Sequence, residues 1–383
     1  MIMKYCMIPR LGKEASVISL GCEGFIELDQ EKFDVLFDHA LEKGINFIDM
    51  YTPNPSFRAH MKNAIKGRRE QIILQGHIGS IWENGDYLRT RDLEKVKKGF
   101  DDLLEELGTD HLDIGMIHYV DEMSDLEKVF GSPLFDYVKE LKKAGRIKAI
   151  GMSSHNPAVA LKAVQNDWID VLMFSINMAY DMAPATENID ELFEKKTYEN
   201  ELSTEPLRKE LYALCEQKGV AIDVMKAFGG GDLLRADYSP LGVAFTEAMC
   251  LHYALSRPGV VAVMAGFHSP DQIDTLCQAL DASEEEKDFA SVLAKVDNVS
   301  LSGHCVYCSH CQPCTVGIQI AQVNKFSALA KVQGEIPETV REHYKALDHH
   351  AGECIECGAC MKRCPFGVDI IAKMKEAEEI FGY

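Results

Sequence analysis

Short apolar, β-branched runs alternate with amphipathic stretches from residue 15 to about residue 280. The apolar runs are "SVISLGCEG", "INFIDMY", "QIILQGHIG", "HLDIGMIHYV", "IKAIGMSSH", "DVLMFSIN", "GVAIDVMKAF" and "GVVAVMAGF". Each has the length and continuous hydrophobicity of a strand buried on both faces, as in a parallel sheet. The stretches between them have helical spacing. In "RDLEKVKKGFDDLLEELG", Leu93, Val96, Phe100, Leu103, Leu104 and Leu107 recur at three- and four-residue intervals, which gives one apolar face. Gly44, Gly108, Gly145 and Gly219 close such stretches just before the next strand, and glycine accepts the left-handed conformation that ends a helix. Eight strands alternating with helices predict a closed (β/α)8 TIM barrel over residues 1–284. An open doubly wound sheet is the competing arrangement, but no G-x-G-x-x-G follows the first strand.

Two features interrupt the alternation. The connection after the sixth strand, roughly 178 to 203, is long, acidic and polar, a length expected of a lid or binding loop. After about residue 284 the pattern stops. "SEEEKDFASVLAKVDNV" reads as a final helix packed on the barrel, and "EIPETVREHYKAL" as a helix between two cysteine runs. Residues 285–383 are therefore expected to form a small helical, ferredoxin-like domain.

The formal net charge of −20 disfavours a general nucleic-acid binder, which needs excess Lys and Arg. No apolar run reaches the length of a membrane span, and "MIMKYCMIPRLGKEASVISLG" has no signal-peptide pattern. A cytoplasmic location is the expectation. Eight of the 13 cysteines fall after residue 304, which points to metal ligation and not to disulfides.

Those eight are Cys305, Cys308, Cys311 and Cys314 in "CVYCSHCQPC", and Cys354, Cys357, Cys360 and Cys364 in "CIECGACMKRCP". Three closely spaced cysteines can wrap three corners of a cubane. In two-cluster ferredoxins the fourth thiolate of each run serves the other cluster. The same exchange here predicts two [4Fe–4S] clusters, one on Cys305, Cys308, Cys311 and Cys364, the other on Cys354, Cys357, Cys360 and Cys314. Zinc is the alternative, but its usual paired C-x2-C spacing fits two runs of four poorly. His349 and His350 precede the second run and are expected to shield or tune a cluster. Cys22 ends the first strand and, like Cys6, Cys215, Cys250 and Cys277, reads as a core residue.

Catalytic groups in such barrels lie at the carboxyl ends of the strands. Here those ends carry Asp49 and Tyr51, His77, His118, Ser153, Ser154 and His155, Asn177 and Lys226, with the Gly-rich "FGGGD" after the seventh strand. Histidines facing a carboxylate suit acid–base work near neutral pH.

The chain resembles the aldo/keto reductases, and specifically the branch with a C-terminal double-cluster ferredoxin-like segment. The likeness is carried by "GINFIDM", "LGTDHLDIGMIHYV", "GRIKAIGMSSHN", "PGVVAVMAGFHSPDQI" and the spacing of both cysteine runs. It implies a (β/α)8 barrel, carbonyl reduction with NADPH, and a Tyr acid assisted by Lys, Asp and His. Asp49 and His118 stand at the family Asp and His positions. The family Tyr position holds Asn54 and the family Lys position holds His77. Tyr51 is the neighbouring phenol, with His77 as its expected partner. Asp49, Tyr51, His77 and His118 are therefore the expected catalytic set.

For a cofactor, the resemblance and the strand ends together point to Ser153, Ser154, Asn177, Lys226, Gly229 and Gly230. Met173 and Met225 replace the family's Gln and stacking aromatic, and "GFHSPDQIDTL" lacks the Lys or Arg that a 2′-phosphate wants. NAD(P)H or a flavin stays open. The reading favoured is an iron–sulfur oxidoreductase acting on a small carbonyl or hydroxyl compound, with electrons passing through the clusters to or from a protein partner. A non-catalytic barrel with an electron-transfer tail, and a His/Asp metal-dependent variant, are the alternatives.

Overall fold

All eight apolar runs become strands of one closed parallel barrel. The computed structural model describes residues 3–331 and 336–383. A hairpin, β1 (Tyr5–Ile8) and β2 (Lys13–Ser16), precedes the barrel strands β3 (Ile18–Gly21), β4 (Phe47–Met50) and β5 (Ile73–Ile78). A second hairpin, β6 (Ser80–Glu83) and β7 (Asp86–Arg89), follows β5. The barrel continues with β8 (Leu112–Ile117), β9 (Ile147–Ser154), β10 (Val171–Ser175), β11 (Ala221–Met225) and β12 (Val260–Gly266). The helices α1 (Gln30–Glu42), α2 (Pro55–Ile65), α3 (Leu93–Leu107), α4 (Met123–Phe130), α5 (Pro133–Lys143), α6 (Pro157–Gln165), α7 (Pro206–Lys218), α8 (Glu247–Leu255) and α9 (Pro270–Ala279) belong to this part of the chain.

Local chemistry sets where these helices start. Asn54, Ser132, Asn156, Glu205 and Ser269 each cap a helix whose first residues include Pro. The cap satisfies a free N–H, and proline at that place loses no hydrogen bond. The apolar face read in α3 is buried, and Gly108 closes that helix at φ 65°.

Strand alternation divides the core in two. Outward side chains such as Ile48, Leu74 and Ile117 pack under the helices. Inward ones form a second core of Phe47, Ile73, Ile114, Met116, Ala149, Val171 and Ala221, stoppered by Ile8 and Ala15 of the first hairpin. Asp113 ties this lower end together. Its buried carboxylate takes Lys13 at 2.6 Å, Arg69 at 2.9 Å and the Leu74 N–H at 2.9 Å. The upper end is left open for polar chemistry.

Three 3-10 turns, Tyr180–Met182, Ile189–Phe193 and Lys195–Tyr198, organise the long connection after β10. It lies against the Gly-rich loop after β11, leaving a cleft of about 230 Å³ of empty space between Tyr180, Leu192, Phe193 and Gly229. The helix expected over 283–299 is only α10 (Phe289–Leu293). Ser283 and Glu286 bond each other into a closed turn, and Asp288 then caps a fresh start.

The remaining helices are α11 (Ile320–Lys331), α12 (Glu338–Lys345), α13 (Ala359–Arg363) and α14 (Ile370–Phe381). Glu335, at the start of the segment read as a linking helix, lies outside the described residues. Apolar residues of α11 and α14 join the same core as the barrel's outer layer. Among the described residues no helix is long and apolar enough to cross a membrane.

Candidate active site and cysteine centres

The barrel's upper interior is built by strand register. Phe47 and Asp49 point inward from β4, and Ile73, Gln75 and His77 from β5, because side chains two apart share a face. Asp49 stands opposite Gln75, and His77 opposite Met116. Ala221 and Asp223 do the same from β11. The Gln75 amide donates to both Asp49 Oδ1 and Asp223 Oδ2, each at 2.9 Å. Asp223 is fully buried, and its Oδ1 has no partner among the described residues. Burial, helped by nearby Asp49, pushes this carboxyl up to about 8, so it holds a proton at neutral pH.

Above this layer runs a continuous hydrogen-bonded chain. His77 Nε2 lies 3.0 Å from Asp49 Oδ1. His77 Nδ1 lies 2.6 Å from His118 Nδ1. His118 Nε2 lies 2.8 Å from the Tyr87 hydroxyl. With Asp49 as acceptor the tautomers follow, since a neutral imidazole has one donor and one acceptor. His77 donates from Nε2 and accepts at Nδ1; His118 donates from Nδ1 and accepts at Nε2; Tyr87 O–H donates into the chain. Burial, then His77, Arg91 and Arg89, hold His118 well below the usual imidazole range, which keeps it neutral.

Tyr87 did not appear among the candidates read from sequence. It sits on the β6–β7 hairpin, whose Asn84-Gly85 turn has φ of 55° and 87°. Asn-Gly between alternating strands is a strong hairpin signal, so the hairpin was legible; its docking on the mouth was not. Two arginines fix that docking. Arg89 donates to the Tyr119 carbonyl at 2.7 Å, and Arg91 to the His118 and Tyr119 carbonyls at 2.8 and 2.9 Å. Tyr119 itself is held at φ 50°.

Tyr51 reaches the same mouth but stands apart from the chain. Its hydroxyl has no hydrogen-bond partner among the described side chains, and both His77 nitrogens are already engaged. Burial, Glu23, Asp49 and Tyr87 push its phenol up to about 12. Asn54 accepts from the Ser56 and Phe57 N–H groups as the α2 cap, so the family's acid position here does a structural task.

The cofactor candidates are used largely by the fold. Ser153 accepts from Tyr119 N at 2.8 Å, and Ser154 donates to Asp121 at 3.1 Å. Asn177 bonds the Lys226 carbonyl and caps the turn at Ala179 and Tyr180. Lys226, at φ 58°, places its ammonium 5.4 Å from the Phe193 ring centre. Gly229 and Gly230 adopt φ of 61° and 73°, and at Gly230 the space where a side chain would stand is open. Beside them, Asp121 Oδ2 orients His155 through Nδ1 at 2.8 Å. The described residues contain no group of three or more His, Cys, Asp or Glu able to hold a single metal ion.

The eight cysteines surround two cavities. One, of about 330 Å³ of empty space, is lined by Cys305, Cys308, Cys311 and Cys364. The other, of about 380 Å³, is lined by Cys314, Cys354, Cys357 and Cys360. Each run therefore lends its fourth cysteine to the other's cavity. Backbone conformation repeats between them as well. Tyr307 and Ser309 have φ of 59° and 63° in the first run, and Glu356 and Gly358 have 54° and 69° at matching offsets in the second. Alternating left-handed residues turn successive N–H groups inward, forming a concavity suited to an anionic centre. Burial and neighbouring thiols push Cys311 up to about 12, a cost that bound iron would offset. The donor set and the cradle fit [4Fe–4S] cubanes, whose thiolates spread around a body larger than one ion. The histidines before the second run lie close by, with His349 packed on Gly317.

The sequence model of the aldo/keto reductase family matches residues 18–247, more than half of the chain, and stops short of the cysteine runs. The chain is 30% identical over 162 residues to "Aldo-keto reductase YhdN" of Bacillus subtilis, covering 40% of this chain and 47% of that protein. It is 24% identical over 287 residues to "Uncharacterized oxidoreductase YqkF" of the same organism, covering 71% and 90%. It thus spans about half the length of the first relative and most of the second. Among solved structures, "aldo-keto reductase AKR11C1 from Bacillus halodurans (holo form)" superposes with a TM-score of 0.58 at 23% identity, over 74% of this chain and 94% of that one. That similarity speaks for the barrel fold.

Proposed function

The chain belongs to the aldo/keto reductase family, and from that premise we propose an oxidoreductase that interconverts a small carbonyl and hydroxyl compound at the barrel mouth, with electrons passing through two [4Fe–4S] clusters. The observation that carries this reading is the hydrogen-bonded chain from Tyr87 through His118 and His77 to Asp49. It is a proton relay with an acceptor at its inner end and an exposed phenol at its outer end.

In the oxidising direction the substrate hydroxyl gives its proton to the Tyr87 oxygen. The Tyr87 proton passes to His118 Nε2, the Nδ1 proton of His118 passes to His77, and the Nε2 proton of His77 passes to Asp49. In the reducing direction the same protons run back and the carbonyl oxygen receives its proton from Tyr87. Each step uses a bond of 2.6 to 3.0 Å, the reach proton transfer requires. Gln75 steadies Asp49 at the inner end. Tyr51 and Lys226 remain at the mouth to position the substrate.

Reducing a carbonyl takes two electrons and two protons: the proton on oxygen comes from Tyr87 along the relay, and the proton that closes the new C–H bond comes from water at the open mouth as the second electron arrives, returning to water in the oxidising direction. Two cubanes, when bound, would supply or accept those electrons singly. The candidates to hold them are the eight cysteines in their two exchanged quartets. A nicotinamide would instead have to lie along the Gly-rich loop, which the 178–203 connection covers and where Phe193 faces Lys226. "GFHSPDQIDTL" supplies no Lys or Arg for a 2′-phosphate. These points favour an electron-transfer protein as partner over NADPH.

Anaerobic purification, iron and sulfide analysis, and titration with NADPH, NADH and FMN test the reading. About eight iron atoms per chain, reducible visible absorption and no tight nicotinamide binding are expected. An iron-free chain that binds NADPH tightly would overturn it.

A further inference from the structure

Arg257 is 6% exposed, yet no carboxylate among the described residues lies within salt-bridge distance of it. Its Nη2 donates to the Ser256 hydroxyl at 2.9 Å and to the Val306 carbonyl at 2.5 Å, and its Nε has no partner. The guanidinium stacks between Tyr253 and Tyr307, at 4.3 and 5.3 Å from their ring centres. A buried charge is costly unless an opposite charge compensates it. The groups beside it are the Cys305 quartet: Val306 and Tyr307 lie between Cys305 and Cys308 and line that cavity.

The two quartets differ in setting. Cys357 and Ile355 of one are exposed, so that quartet faces solvent. Each quartet has one buried thiol, Cys360 in that one and Cys311 in the other, but the Cys305 quartet has no exposed cysteine and lies against α11, where Asn324 donates to Cys305 Sγ at 3.5 Å. From Arg257 a buried path continues toward the mouth. Tyr253 Oη donates to Asp181 Oδ2 at 2.8 Å, Arg208 meets Asp181 Oδ1 at 3.3 Å, and Arg208 donates to the Ser175 carbonyl at the end of β10 at 2.8 Å.

We propose that Arg257 is the fixed counter-ion of the barrel-side [4Fe–4S] centre, raising its reduction potential and marking the point where electrons leave the cysteine domain for the barrel. The inference rests on the two-cluster reading above. Net charge and hydrogen bonds to sulfur set such potentials, and an unpaired guanidinium favours the more negative, reduced form. A one-electron carrier protein reduces the solvent-side centre; that centre is reoxidised as it passes the electron to the barrel-side one.

Anaerobic spectroelectrochemical titration tests this. The wild type is expected to show two one-electron waves. Arg257→Gln is expected to shift one wave to lower potential and leave the other in place, whereas Arg257→Lys, which keeps the charge, restores it at least in part. Lys209 lies within electrostatic reach of both Arg257 and Cys305. Being exposed, it gives a folding-neutral check: Lys209→Gln should move the same wave in the same direction, by less. Cys357→Ala identifies the solvent-side wave by removing it. Two waves insensitive to Arg257, or a shift of the solvent-side wave, would overturn the inference alone. A chain without iron would overturn it together with the reading it rests on.

Discussion

His77 and His118 meet nitrogen to nitrogen, Nδ1 to Nδ1 at 2.6 Å. One proton sits between two imidazoles, so protonating both is disfavoured and the pair acts as a single conducting link. The Asp49 carboxylate at one end fixes which way that proton points, and the Tyr87 phenol at the other makes the link reachable by substrate.

Tyr87→Phe removes the outer terminus of the relay and leaves the imidazole pair intact. Turnover is expected to fall about 10²- to 10⁴-fold, the usual scale of general acid–base assistance. Tyr51→Phe removes a phenol outside the chain and should cost much less. Steady-state kinetics of the two variants, made in parallel, check the ordering; equal losses would place the acid elsewhere.

His118 should leave a signature in stability. Its folded value is held well below the ordinary imidazole value of about 6.5, so on acidification the unfolded chain takes up the proton first. Stability is fully present above that value and declines as pH falls below it. Urea midpoints measured from pH 7.5 to pH 5 should fall less steeply for His118→Gln than for the wild type.

Asp223 works in the opposite sense. Its folded value of about 8 lies above the unfolded carboxyl value of about 3.9, so the folded chain binds the extra proton between them and stability drops as pH rises through that window. Asp223→Asn keeps the shape without the charge. Its melting temperature should exceed that of the wild type at pH 8 to 9, and the gap should close near pH 4. An Asn variant that is less stable at pH 9 would contradict the assignment.

Cys364 follows Cys360 by four residues but faces the cavity of Cys305. Cys364→Ala should therefore lose the same spectroscopic centre as Cys305→Ala, and Cys314→Ala the same one as Cys354→Ala. Paramagnetic resonance of the reduced variants distinguishes this grouping from one that follows sequence neighbours.

Much of this was legible in the chain. Continuous apolar runs marked the eight strands, since parallel strands are buried on both faces, and the strand ends marked Asp49, His77 and His118 as residues of the barrel mouth. Cysteine spacing indicated two exchanged quartets because ligand geometry is local. A further signal went unread: "CTVGIQI" and "CPFGVDI" repeat after the two fourth cysteines, and Gly317 and Gly367 both take positive φ there.

What sequence could not show were contacts made across the fold. Tyr87 meets a histidine 31 residues away only because Arg89 and Arg91 fold the hairpin back onto the turn. Ser154 and Asn177 stand at strand ends, and their hydrogen bonds to the Asp121 carboxylate and the Lys226 carbonyl cross between elements that the sequence does not bring together. A lone arginine before proline, such as Arg257, has no pattern in the sequence; its meaning lies in having no carboxylate beside it among the described residues.

Electrons held in the cysteine domain should reach a carbonyl at the barrel mouth. Single-turnover oxidation measures this directly: the anaerobic protein is reduced with dithionite, desalted, and mixed with a panel of small aldehydes and ketones while its visible absorption is followed. At least one compound should reoxidise the wild type and do so much more slowly in Tyr87→Phe. A chain whose reduced absorption persists with every carbonyl, while NADPH reduces the same compounds in a variant lacking the eight cysteines, would contradict the account.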